Sequence, residues 1–168
     1  KQRILGVVFN DIGPDIDPSG LAAIDVYLGR PPVWRSLAEA VVKREKAMVG
    51  FDNVPEARWR EEVEKLYRQT QNGLALTYDP KLREAFLEAS QQDVPSLWPF
   101  YTAFSDVPVA VIRGEHSNIL SQETFERMAE EMPSAIMASV KDRGHIPFLD
   151  EPESLAALTN WIGKLRAN

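Results

Sequence analysis

The chain has 168 residues, of which 44% are hydrophobic and 26% are charged, and its formal net charge is −6. This composition is typical of a globular protein with a sizeable core, the acidic balance argues against nucleic-acid binding, and no apolar run approaches the ~20 residues of a membrane-spanning helix. Because there is no cysteine and there are only two histidines, disulfides, a cysteine nucleophile and a three-histidine metal site are excluded within these residues.

The first apolar run, KQRILGVVFN, predicts a central strand that ends near Asn10. Asp11 follows this strand directly, and Gly13-Pro14 indicates a turn. The chain enters the apolar run within a few residues of its start. We therefore expect a further segment to precede Lys1.

Helix signals follow one another from Asp17 to Phe104, and no convincing long strand interrupts them. Ser36 and Glu39 have the spacing of a capping box, and Asn72-Gly73 is predicted to end the helix that opens at Pro55. The predicted helices begin at Asp17-Pro18, Ser36, Pro55 and Asp79-Pro80, and a short aromatic helix or turn covers 95–104. These signals predict a region built of helices.

The last third of the chain alternates strands with helices. A buried strand at Val109–Ile112 is followed by a polar turn and by a helix that Ser121 caps. A second strand, 135–140, leads to Gly144-His145, and Pro152 opens a final helix. Two strands joined by a helical crossover predict a parallel sheet, and ligands of such sheets bind at the loops that leave the strands' carboxyl ends.

Those two loops carry a recognisable pattern. VIRGEHSNILS followed by DRGHIPFLDEP resembles the last part of an α/β-hydrolase, and NDIGP resembles the end of an earlier strand in that family. The resemblance implies an α/β fold of which this chain is the C-terminal portion, with mostly parallel strands flanked by helices. The hydrolase core would comprise 1–16 and 105–168, and 17–104 would be an inserted helical cap, the substrate domain.

The resemblance also implies site residues. In this family the first loop carries the acid of a Ser-Asp-His triad, and the Gly-His of the next loop carries the histidine. His145 matches the histidine position and would act as the general base. Asn118 occupies the acid position, where the family has a carboxylate.

A serine protease loses ~10⁴ in turnover when its triad aspartate becomes asparagine, so Asn118 needs an explanation. Several explanations are open. The acid could lie after the first strand, at Asp11 or Asp15, or Glu115 could replace it. The asparagine could also have been introduced to trap a substrate, or catalysis could be lost. We favour relocation or a natural variant that remains a hydrolase, and we interpret as turn or cap residues Asp106, Asp142 and Asp150.

The nucleophile is not found in this sequence. The family places it on a sharp turn that reads G-x-S-x-G, and none of the nine glycines is followed two positions later by serine. The oxyanion hole belongs to the same missing region. We therefore expect the N-terminal half of the same hydrolase to be the partner that supplies both.

The resulting expectation is a hydrolase that acts on a small ester-like or related molecule, without a cofactor or metal, in the cytoplasm. It would contact neither nucleic acid nor membrane. The alternative is a binding protein that keeps the hydrolase fold and has impaired catalysis. The side chains predicted to line the substrate pocket are Trp98, Tyr101, Ile119 and Ile146.

Overall fold

A computed structural model describes residues 4–90 and 95–167. The strands are β1 (Val7–Asn10), β2 (Tyr67–Thr70), β3 (Gly73–Leu76), β4 (Val109–Gly114) and β5 (Ile136–Val140). The helices are α1 (Pro18–Asp25), α2 (Leu37–Ala47), α3 (Glu56–Leu66), α4 (Leu82–Ser90), α5 (Trp98–Thr102), α6 (Gln122–Glu131) and α7 (Pro152–Ala167). Among the residues described, no helix combines the length and apolar character needed to cross a membrane.

A three-stranded parallel sheet has the order β1-β4-β5. Val7 pairs with Val109 and Ala110 pairs with Ile136, so β4 lies in the middle, and all six of its residues are buried. Parallel strands end at a common edge of the sheet. The residues that follow β1, β4 and β5 therefore emerge together, as expected for the predicted α/β fold.

Successive side chains of β4 enter cores on opposite faces of the sheet. On one face Val109 and Val111 pack in a cluster with residues of α5, of α6 and of the segments that flank α6, namely Trp98, Tyr101, Leu120, Phe125, Met128 and Met132. On the other face Ile112 packs with Val140 of β5 and Ala157 of α7. The sheet is thus covered by helices on both faces.

The predicted helix boundaries in this part of the chain are confirmed. The side chain of Ser121 accepts a hydrogen bond from Thr124 N–H at the start of α6, which satisfies one of the free N–H groups there. Pro152 is the first residue of α7, where its missing N–H costs nothing.

The chain divides into two compact units, Lys1–Leu21 with Val94–Asn168, and Ala22–Asp93. The sequence analysis predicted a core of 1–16 and 105–168 and a cap of 17–104, and this division stays a prediction. Trp98 and Tyr101 of α5 are buried in the cluster beside β4. The aromatic segment before β4 therefore belongs to the sheet-containing unit.

The second unit contains a β-hairpin that the sequence analysis missed. β2 and β3 pair antiparallel from Tyr67↔Leu76 to Thr70↔Gly73. The prediction that Asn72-Gly73 ends a helix was wrong, because α3 ends at Leu66 and the next residue is already extended. Asn-Gly is also a strong hairpin signal, and Gly73 has a positive φ of 118° that other residues rarely adopt.

The core cluster generates a stability prediction. Leu120 is fully buried, whereas Leu155 on α7 is 50% exposed. Leu120→Ala should lower the free energy of unfolding by about 2–5 kcal/mol, since it leaves a cavity. The matched change Leu155→Ala should cost about 1 kcal/mol or less. Urea denaturation measures both, and equal losses would contradict the packing described here.

Candidate active site

Asp11 lies at the carboxyl end of β1 and is fully buried. Its N–H donates to Ile112 O at 2.7 Å, which continues the pairing of β1 with β4 by one residue. Its φ of 55° is in the left-handed region, where aspartate is tolerated better than most residues.

The Asp11 carboxylate is surrounded by hydrogen-bond partners. Gly114 N–H donates to Oδ1 at 2.8 Å, and the Ser117 hydroxyl donates to Oδ2 at 2.7 Å. His145 Nδ1 lies 2.8 Å from the same Oδ2. A buried carboxylate is costly unless such partners replace water. The last residue of β4 and the loops after β4 and β5 provide those partners.

His145 belongs to the loop after β5, and its side chain is 24% exposed. An ionised carboxylate can only accept hydrogen bonds, so Nδ1 carries the hydrogen in its bond to Asp11. In the neutral ring Nε2 is then the nitrogen with a free lone pair. A histidine held in this way can accept a proton at Nε2, and the carboxylate stabilises the positive charge that results.

The loops after β4 and β5 are held against each other by close backbone contact. A Cβ atom at Gly114 would collide with Gly144 O and would lie 2.6 Å from Arg143 O, which is too close for any side chain. His116 N–H donates to Arg143 O at 2.8 Å. Glycine at position 114 is therefore required for His145 to approach Asp11.

Glu151 holds the far end of the histidine loop. Its Oε1 accepts from Phe148 N–H and Arg143 Nε, and its Oε2 accepts from Leu149 N–H and the Ser154 hydroxyl. Burial alone would raise the pKa of Glu151, but hydrogen bonds from backbone N–H groups, Ser154 and Arg143 outweigh it and lower the pKa. The ionised Glu151 carboxylate thus holds Arg143 on one side of His145 and Phe148 and Leu149 on the other.

The structure places Asn118 in an exposed position of the loop after β4. The described bond of His145 Nδ1 is to Asp11, the position that the sequence analysis gave as an alternative acid. The other candidates are engaged elsewhere, because Asp15 Oδ2 accepts from Trp98 Nε1 and Glu115 Oε2 accepts from Asp142 N–H. The end of β4 contributes Gly114 and the loop after it contributes Ser117, both through their contacts with Asp11.

The residues predicted to bind substrate lie in different environments. Tyr101 is 2% exposed and its hydroxyl donates to Met128 O, and burial raises its pKa to about 12. Trp98 and Ile119 are also buried, whereas Ile146, next to His145, is 41% exposed. The burial of Trp98 and Tyr101 favours a packing role. Substrate contact by any of these four residues stays a prediction.

Sequence reasoning missed Ser117, Glu151 and the need for Gly114. Ser117 lies in a polar turn where serine is common, and Glu151 precedes a helix where acidic residues are favourable. Neither residue type signals a special role there. The pairing of β1, β4 and β5 brings Gly114 and Ser117 to Asp11, whereas the partners of Glu151 all lie within eight residues of it.

The environment of Glu151 predicts a pH-dependent loss of stability. In Glu151→Gln an NH2 group would replace one carboxylate oxygen and would face the N–H and O–H donors that this oxygen now accepts from. The replacement should lower the free energy of unfolding by about 2 kcal/mol or more at pH 7. Because the folded-state pKa of Glu151 is lowered, its contribution is complete above the unfolded value of about 4.3 and is lost as pH falls through the folded value.

Chemical denaturation of the original protein and of Glu151→Gln from pH 7 to pH 3 measures this effect. The difference between them should be largest at pH 7 and shrink below about pH 4.3. Glu130→Gln, at an exposed position of α6, is the matched control and should change stability little. A difference that grows toward acid pH would contradict the assignment.

Comparisons with known proteins agree with this architecture. A model of the alpha/beta hydrolase family matches residues 5–158. The 3-hydroxybutyrate-oligomer hydrolase of Cupriavidus necator is 28% identical over 164 residues, which are 93% of this chain and 56% of that protein.

Solved structures are similar as well. An alpha/beta hydrolase from Novosphingobium aromaticivorans is 31% identical, with a TM-score of 0.85 over 96% of this chain and 57% of its own. E-2-(acetamidomethylene)succinate hydrolase has the same fold, with 21% identity and a TM-score of 0.74 over 95% of this chain and 58% of its own. The chain thus spans little more than half the length of these relatives. It belongs to the alpha/beta hydrolase family.

Proposed function

We propose that this chain supplies the acid and the base of a hydrolase that cleaves a small carboxylic ester through a nucleophile–His145–Asp11 triad. The observation that carries the proposal is the 2.8 Å contact between His145 Nδ1 and a fully buried Asp11 carboxylate. The pair lies at the carboxyl edge of a parallel sheet, where ligands of such sheets bind. Family membership supports hydrolytic chemistry at this edge.

In the proposed reaction His145 Nε2 takes the proton of the nucleophile's hydroxyl as its oxygen attacks the ester carbonyl. The imidazolium then returns the proton to the departing alcohol, and an acyl-enzyme remains. A water molecule, deprotonated by the same Nε2, releases the acid product and restores the nucleophile. Asp11 holds the ring and stabilises its positive charge in both steps.

The nucleophile must come from another segment, because the sequence of this chain contains no G-x-S-x-G turn. We propose that the N-terminal half of the same hydrolase supplies it together with the oxyanion hole. The relatives support this division, since the chain matches 56–58% of their length.

The position of Asp11 also bears on the alternative of a binding protein. That alternative depended on Asn118 at the acid position. Asp11 offers a carboxylate in contact with the base, so the asparagine no longer argues against catalysis. We therefore propose the enzyme and not the impaired variant.

The proposed substrate class is an ester of a short hydroxy acid. The relative from Cupriavidus necator is named for hydrolysis of 3-hydroxybutyrate oligomers, in which an ester joins each unit to the next. The segment inserted between β1 and β4 is proposed to be the cap that selects the substrate. The substrate class and the role of the cap can be tested only with the full-length protein.

The acid and base roles predict large kinetic effects in the full-length protein. Asp11→Asn should lower kcat by ~10⁴-fold, as the equivalent change does in a serine protease, because the amide favours the wrong ring tautomer. His145→Ala should lower kcat at least as much. Steady-state kinetics with a chromogenic short-chain ester measures both, and thermal unfolding checks that the variants are folded.

Asn118→Ala distinguishes the two candidate acids. Its kcat should stay within about threefold of the original value, since the exposed amide has no described bond to His145. Loss of activity in Asn118→Ala with full activity in Asp11→Asn would return the acid to position 118. Full activity in both Asp11→Asn and His145→Ala would refute the proposed mechanism.

The substrate proposal predicts that the full-length protein hydrolyses the dimer and trimer of 3-hydroxybutyrate. Chromatography of the products measures the rate, and the corresponding amide-linked dimer is the control that should resist cleavage. Asp11→Asn should lower the rates of hydrolysis of the oligomers and of the chromogenic ester by similar factors, because the same base acts on both substrates. Hydrolysis of the chromogenic ester without any cleavage of the oligomers would contradict this substrate class.

A further inference from the structure

We propose that Ser117 is a positioning residue that fixes the Asp11 carboxylate and thereby the ring nitrogen that His145 offers to the reaction. The inference rests on the proposed function and goes beyond the acid and base themselves. Its basis is the 2.7 Å bond from the Ser117 hydroxyl to Asp11 Oδ2, the same oxygen that contacts His145.

The direction of that bond follows from the partners of Ser117. A serine hydroxyl has one hydrogen to donate and two lone pairs that accept. Ile119 N–H donates to Oγ at 3.1 Å, and Leu120 N–H donates to it at 3.0 Å. Both lone pairs are therefore occupied, and the single hydrogen is directed to Asp11.

The hydroxyl is also held in place by the core. Ile119 is 3% exposed and Leu120 is fully buried, so the two N–H groups that bind Oγ belong to anchored residues. Ser117 N–H itself donates to Gly114 O at 2.9 Å. The hydroxyl is a rigid donor, unlike one on a mobile surface loop.

Two fixed donors determine the orientation of the carboxylate. Gly114 N–H binds Oδ1, and Ser117 binds Oδ2. Rotation of the carboxylate about its Cβ–Cγ bond would break both. The remaining accepting direction of Oδ2 is aimed at His145 Nδ1, which must then donate. Ser117 thus helps to keep the reactive lone pair on Nε2.

In the proposed mechanism Ser117 acts through Asp11 and does not contact the reacting atoms itself. Its removal should slow the chemical step without weakening substrate binding. In the full-length protein we expect Ser117→Ala to lower kcat about tenfold or more, the effect of one hydrogen bond to a charged group. KM should stay within about twofold, since binding contacts are unchanged.

The conservative variant and a matched control complete the experiment. Ser117→Thr keeps the hydroxyl and should retain kcat within about threefold. Ser139→Ala removes an exposed hydroxyl from β5 and should leave kcat unchanged. In proton NMR, the low-field signal of the His145 Nδ1–H bonded to Asp11 should persist in the threonine variant and shift or broaden in Ser117→Ala.

Measuring Asp11→Asn in parallel distinguishes failure of the Ser117 inference from failure of the proposed function. If Asp11→Asn loses activity while Ser117→Ala keeps kcat and the NMR signal, the inference about Ser117 is overturned and the proposed function stands. If Ser117→Thr is as slow as Ser117→Ala, the hydroxyl is not the cause and the inference is equally overturned. If Asp11→Asn keeps full activity, the proposed function itself fails.

Discussion

The hydrogen bond between Asp11 and His145 is the interaction on which the site depends. It joins the ends of two strands that are not neighbours in the sheet, because β4 lies between β1 and β5. The carboxylate is fully buried, and a charge there is tolerated only with several donors around it. The pairing order of the sheet therefore determines which residues can meet.

The end of β4 and the loop that follows it make this arrangement possible in two ways. Gly114 has no side chain, so the backbone at Arg143 and Gly144 can approach and bring His145 to the buried carboxylate. The same segment directs the Gly114 N–H and the Ser117 hydroxyl at Asp11. Glu151 then holds the histidine loop from its other side. The loop at the expected acid position thus supports an acid that lies directly after β1.

Much of the sheet-containing unit could be predicted from the sequence, because its signals are local. The buried run of β4, the Ser121 cap and Pro152 at the start of α7 each identify an element from neighbouring residues. The position of His145 after β5 followed from the same strand–loop–helix alternation. These features need no knowledge of distant contacts.

The remaining features depend on contacts that are distant in sequence. Asp11 and Gly114 are 103 positions apart, and nothing in the turn after β1 distinguishes Asp11 from Asp15 as a partner of the histidine. Aromatic residues near a predicted site are equally ambiguous, and Tyr101 is in the core. The hairpin was missed because the helical signal before Asn72-Gly73 was extended too far.

The tautomer of His145 tests the central claim most directly. The chain contains only two histidines, so nitrogen-15 NMR of the imidazole rings can distinguish His145 from His116 by comparison with His116→Gln. At a pH where the ring is neutral, we expect a hydrogen on Nδ1 and an unprotonated Nε2, and Asp11→Asn should alter this distribution. A neutral His145 with its hydrogen on Nε2, unaffected by Asp11→Asn, would contradict the account.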